Sequence, residues 1–213
     1  MLARLDRDMA PMHVELDREW DRLLRDGSAT RDDYRHLLTV TYGFEAPFEL
    51  ACSQTPGLAH AIDLRGRGRA GLIAQDLLAL GAAPDDIPEI RCQSLARFHD
   101  AAEALGWIYV VERPTLIHGE LRDELTGRFV DLARATAYLG AYGGAASRRW
   151  AELGIALDRV CVSTRVCERV IGAAHTALRA RREWCAGSAP VPGVGEPQAH
   201  RPAGEPGGVQ RCL

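Results

Sequence analysis

Apolar residues recur at helical spacing along most of this chain and almost nowhere alternate, which limits it to packed helices. Met9, Met12, His13, Leu16, Trp20, Leu23 and Leu24 make one stripe, and Glu15, Arg18, Asp21, Arg22 and Arg25 make the opposite face. The spacing predicts helices near 3–26, 30–54, 69–81, 92–104, 105–126, 128–139, 143–154 and 156–184. No Asn-Gly or Asp-Gly turn separates two β-branched runs, because Asp26-Gly27 falls at a helix end. Thr30 reads as an N-cap with Asp32 and Asp33 in the first turn, and Gly27 reads as a helix stop. Gly57, Gly66, Gly68, Pro84 and Pro88 punctuate the middle. Tyr109-Val110-Val111 would pass for a strand alone, but its flanks are helical. The expectation is an all-α fold.

A chain of 213 residues is long enough for a real core. The stretch 1–186 reads as one domain. From 187 to 213 proline and glycine dominate and large apolar residues nearly vanish, so this tail is expected to be disordered. A net charge of −3 gives no electrostatic case for nucleic acid. All 26 basic residues are arginine, so any anionic ligand must be held by a planar guanidinium fork. The six cysteines, at 52, 92, 161, 167, 185 and 212, form no CxxC pair, which argues against a zinc or dithiol motif. No apolar run reaches membrane-spanning length, and the charged stretch from Arg4 to Asp8 lacks the core of a signal peptide. A cytoplasmic location with reduced thiols, and no membrane partner, is expected.

His13 stands out because it lies on the apolar side of its helix. A histidine there must find a buried hydrogen-bond partner or ligate something. Asp17 lies one turn further on, where it either accepts the second imidazole N–H or faces solvent. The remaining histidines, at 36, 60, 99, 175 and 200, have no comparable context. Glu45 and Glu49 read as one polar face of the second helix, and no paired carboxylate–histidine pattern for a di-iron site is evident.

Five strings, taken together and in order, resemble the biliverdin-producing heme oxygenases of bacterial type. They are MAPMHVELD (9–17), GSATRDDYRHLLTVTYGFEAPFE (27–49), GLIAQDLLALG (71–81), LGWIYVVERPTLIHGELRDEL (105–125) and YLGAYGGAASRRWAELGIALD (138–158). The resemblance spans the chain to about Trp184. It implies a single-domain, heme oxygenase-like helical bundle that holds heme b, both cofactor and substrate, between the first helix and a kinked distal helix. His13 then falls where that family places its proximal iron ligand, with Asp17 beside it. Tyr109 matches a tyrosine near a heme propionate. Arg148 and Arg149, or Arg4 and Arg7, are placed to hold propionates.

The distal helix departs from the family pattern. Where that pattern has two glycines that let the backbone approach the iron-bound oxygen, this chain has Arg113 and Pro114, then Ile117 and His118, with only Gly119 left. Pro114 still removes a helix hydrogen bond and bends the chain. His118 has three readings: a second axial ligand, a hydrogen-bond donor to bound oxygen, or a residue turned away from the pocket. Together, His13, Pro114, His118, Asp17, Tyr109, Arg113, Ile117, Gly119, Arg148 and Arg149 are the candidate site.

The implied activity is O2-dependent cleavage of heme to biliverdin, CO and ferrous iron, with electrons from a ferredoxin or reductase, since no flavin or nicotinamide motif is present. The alternative is a non-catalytic protein of the same fold that binds heme, another tetrapyrrole or a partner, with its distal pocket blocked. A thiaminase-like activity ranks last, because its nucleophile and carboxylate set are missing.

Overall fold

The computed structural model describes residues 1–25 and 30–188, and only the backbone within 15–25. Among the described residues every regular element is helical. These are α1 (Leu2–Arg25), α2 (Arg31–Ser53), α3 (Leu58–Ala61), α4 (Ala70–Ala79), α5 (Ala101–Glu112), α6 (His118–Arg128), α7 (Ala146–Val160) and α8 (Thr164–Gly187). The all-α expectation is met. The stop at Gly27 and the tail beyond Ser188, with His200 and Cys212, lie outside the described residues.

α5 is the axis of the fold. All of it except Ala101 and Glu103 is buried, so its apolar character runs round the whole helix rather than along a stripe. It packs most extensively on α8 and then on α7. Gly106 permits that crossing: a Cβ there would lie 2.5 Å from the Val170 carbonyl oxygen and 2.8 Å from Ala173 Cβ. Leu5 and Met9 of α1, and Phe44 and Phe48 of α2, close this larger core. A smaller core lies between α2, α4 and α6, with Tyr34, Leu38, Ile73, Leu77, Leu121 and Leu125 at its centre. The polar groups described below sit where the two cores meet.

Local capping explains most helix ends. Thr30 and Asp33 form a capping box at the start of α2, which contributes about 1 kcal/mol. Three predicted helices need correction. Residues 92–99 are irregular, because Asp100 accepts the amides of Ala102 and Glu103 and starts α5 there, while Glu103 takes the amide of His99. The irregular segment is pinned on α2 by the Gln93 amide donating to the Gly43 carbonyl at 2.8 Å. A Cβ at Gly43 would meet the Arg91 carbonyl oxygen, so glycine is needed for this approach.

The predicted helix 105–126 is two helices. Arg113–Leu116 form a tight 3-10 turn, with the Thr115 hydroxyl donating to the Glu112 carbonyl at 2.6 Å, before α6 begins at His118. Pro114, which has no amide hydrogen, sits in that turn, as its ring chemistry demands. Predicted helix 128–139 is a 3-10 turn, Val130–Arg134, followed by loop. The last two helices start later than their periodicity suggested, and α8 is N-capped by Ser163.

Candidate functional site

His13 follows Met9 by four residues on α1, so it inherits the buried face that Leu5 and Met9 define. Only 4 % of it is exposed. Its Nε2 lies 3.0 Å from the Tyr109 hydroxyl of α5, and that hydroxyl donates to Asp6 at 2.9 Å. The imidazole and phenol rings meet edge-on at 5.6 Å, and Trp150 of α7 packs the phenol from another side at 5.5 Å. Burial pushes the His13 pKa down to about 3, and the guanidiniums of Arg113 and Arg181 push the same way. The ring is therefore neutral at ordinary pH.

The proton count fixes its tautomer. Tyr109 has one proton. With that proton donated to Asp6, Nε2 of His13 must be the donor to the phenol oxygen, and Nδ1 keeps the lone pair. Burial, with help from Asp6, raises the phenol pKa, so Tyr109 keeps that proton.

The bend beyond α5 brings in a second buried histidine. His118, the first residue of α6, is 3 % exposed and lies against Tyr138 with the rings 4.9 Å apart. Burial, then Arg69 and Arg181, lowers its pKa well below the usual histidine value, while a hydrogen bond with the Tyr138 backbone opposes the shift. Both neutral imidazoles thus feel Arg181, a half-buried residue of α8 with no carboxylate among the described residues at ion-pair distance. Arg113 and Ile117 are half-buried at the bend, and Gly119 is exposed beside open space.

Between the two cores lies a different polar group, built from charges. Arg69 is 1 % exposed; its Nη2 lies 3.0 Å from Glu45 Oε2 and donates to the Val111 carbonyl at 3.0 Å. Tyr138 donates to the other oxygen of Glu45 at 2.8 Å. Asp76 accepts the backbone amides of Ala137 and Tyr138, at 2.8 Å each, and so fixes that tyrosine. Next to it, Arg67 bonds both oxygens of Glu112 and reaches Glu152 at 3.2 Å. Tyr142 donates to Glu112 at 3.2 Å. The buried arginines persist here because each has a carboxylate partner, and among the described residues Asp76 is held by backbone amides alone.

The candidate residues divide accordingly. His13 and Tyr109 touch, Arg113 faces His13 electrostatically, and His118 lies at the bend with Pro114, Ile117 and Gly119. Asp17 belongs to the stretch whose side chains are not described. Arg148 is exposed, 3.8 Å from Glu152, and Arg149 donates to the Arg65 carbonyl at 3.1 Å and to Glu152. Arg4 is paired with Glu168 at 2.7 Å, and Arg7 lies 3.5 Å from Asp8. Glu45, read as part of one polar face of the second helix, is buried: it is 4 % exposed and holds Arg69.

Arg67, Arg69, Glu112, Tyr138 and Arg181 give no periodic signal. The one trace in the sequence is Asp76, an acid inside the apolar run GLIAQDLLALG, which implies a buried donor for it. No group of three or more metal-ligating side chains occurs among the described residues, and no described helix is long and apolar enough to cross a membrane. No known protein-family model matches the chain, and no curated protein matches it significantly.

Proposed function

We propose that this protein binds heme between α1 and the α5–α6 bend, with His13 on the iron, and cleaves it oxidatively to biliverdin, CO and ferrous iron. One observation carries the reading: a histidine 4 % exposed on the inner face of α1, touched by the Tyr109 hydroxyl and kept neutral by burial, with the charges of Arg113 and Arg181 acting on it. That donor set fits the guest. A neutral imidazole offers the lone pair that iron needs, and Arg113 and Arg181 suit the carboxylates of a porphyrin. The five collinear strings that resemble the heme oxygenases add to this.

Bound heme supplies the iron that reduces O2 and is itself the molecule oxidised. The chain supplies geometry. For Nε2 to reach iron, His13 must leave the Tyr109 oxygen and carry its proton on Nδ1. Tyr109 then keeps Asp6 as acceptor, while the Nδ1 proton of His13 needs an acceptor of its own. The turn at Arg113–Leu116 would lie across the guest from His13, where it would limit the access of bulk water. Electrons come from an external ferredoxin or reductase.

A second reading rests on His118. Its buried, neutral ring at the bend, with Arg113 and Ile117 where the resembled family has glycine, suits a heme or tetrapyrrole binder that does not turn over. The experiment is turnover of the full chain with hemin, an electron-donating system and air. Loss of the Soret band with growth of biliverdin absorbance is the expected outcome. A stable low-spin spectrum under the same conditions, made high-spin by His118→Gly, establishes the second reading instead.

A further inference from the structure

Away from His13, on another face of α5, a cleft of about 200 Å³ opens between α2, the 62–69 loop and the end of α5. Phe48, Leu64, Ile108 and Val111 make its walls. For scale, an apolar protein cavity of about 150 Å³ takes up benzene. The cleft therefore has room for a single-ring or short-chain molecule.

Its charges are unevenly matched. Arg67 is paired with Glu112 and Glu152, and Arg69 with Glu45, although Arg69 Nη1 has no hydrogen-bond partner among the described residues. Glu49 also lines the cleft, and among the described residues no guanidinium lies within ion-pair distance of it. One of its oxygens, Oε1, accepts the amides of Arg69 and, at 2.8 Å, Ala70, which fixes the carboxyl group at the start of α4. The other, Oε2, faces the space that Gly68 leaves clear: a Cβ on Gly68 would stand 3.0 Å from it. Burial raises the pKa of Glu49, and the amides of Arg69 and Ala70, then the Arg69 charge, oppose that rise only in part.

We propose that this cleft binds a small apolar amine in its ammonium form, with the apolar body against Phe48, Leu64, Ile108 and Val111 and the ammonium group on Glu49 Oε2. Charge complementarity selects the occupant: the walls take a ring or alkyl chain, and Glu49, the carboxylate of this cleft with no described guanidinium at ion-pair distance, takes the positive head. A neutral molecule of the same shape leaves Glu49 uncompensated. A carboxylate meets it with like charge.

Three single-ring probes test this on the full-length protein: benzylamine, toluene and benzoate, each titrated while amide shifts are followed by NMR. Saturable shifts at Gly68, Ile108 and Val111 with benzylamine, and weaker or none with the other two, support the site. Glu49→Gln keeps an acceptor for the Arg69 and Ala70 amides but removes the charge. It should weaken benzylamine by about tenfold or more and leave toluene unchanged. Gly68→Ala, a change at an exposed position, should weaken benzylamine by crowding Oε2. Equal binding of toluene and benzylamine, preference for benzoate, or no saturable shift with any probe overturns the proposal. Hemin uptake is not part of this test and stands or falls separately.

Discussion

Two buried polar groups flank α5, and they are held in opposite ways. The His13–Tyr109–Asp6 group has neutral hydrogen bonds at its buried end and an exposed residue, Asp6, at the other. The Glu45–Arg69–Tyr138 group is charged and sealed, with Arg69 1 % exposed. Exchanging one neutral hydrogen bond for another partner changes stability by only about 1 kcal/mol. Separating a buried ion pair costs several times that. The contrast teaches that the first group can rearrange around a guest, whereas the second holds the two cores together and cannot.

The largest effect should come from the charged group. Arg69→Met leaves Glu45 buried without its cation and should lower unfolding stability by about 3–5 kcal/mol in urea titrations. A loss below about 1 kcal/mol would mean that Glu45 is not held by this pair, and the contrast would fail. Acid should act next, through the neutral group. The His13 pKa falls from the ordinary 6.5 to about 3 in the fold, so between those values the unfolded chain holds the extra proton. Stability is full above pH 6.5 and declines as pH drops toward 3. His118 is shifted in the same direction. His13→Gln should flatten this decline in urea midpoints measured against pH, and an unchanged slope would contradict the burial of a neutral ring.

The smallest pair of effects sharpens the comparison. Tyr138→Phe removes a hydrogen bond to a buried carboxylate and should cost about 1.5–3 kcal/mol. Tyr109→Phe removes only its bonds with His13 and Asp6 and should cost about 1 kcal/mol. Equal losses for the two phenols, measured by thermal unfolding at one pH, would erase the distinction.

What could be read from the sequence follows the same division. Helical periodicity marked α1, α2, α4 and α8, because amphipathic stripes against a core are a local signal. It overran at 92–99, where the pattern Asp100-x-x-Glu103 was itself a capping signal for the later start of α5. It also ran through 105–126, although Pro114 marked the break. His13 was legible because a polar ring interrupted an apolar stripe. Arg67, Arg69 and Arg181 were not. Arg67 and Arg69 meet their carboxylates across tens of residues of chain, and an arginine looks alike in sequence whether solvated or, like Arg69, sealed under Tyr138. Glu45 was legible only as part of a polar face: its spacing from Glu49 does not say whether that face meets solvent, and the arrival of Arg69 from another segment makes it internal.

Heme capture by His13 is tested most directly by titrating hemin into the wild-type chain and into His13→Ala, with added imidazole as a third arm. The account expects a saturable one-to-one Soret band with an axial-imidazole signature in the wild type, its loss in the variant, and its return when free imidazole fills the space. A variant whose spectrum and affinity match the wild type would contradict it.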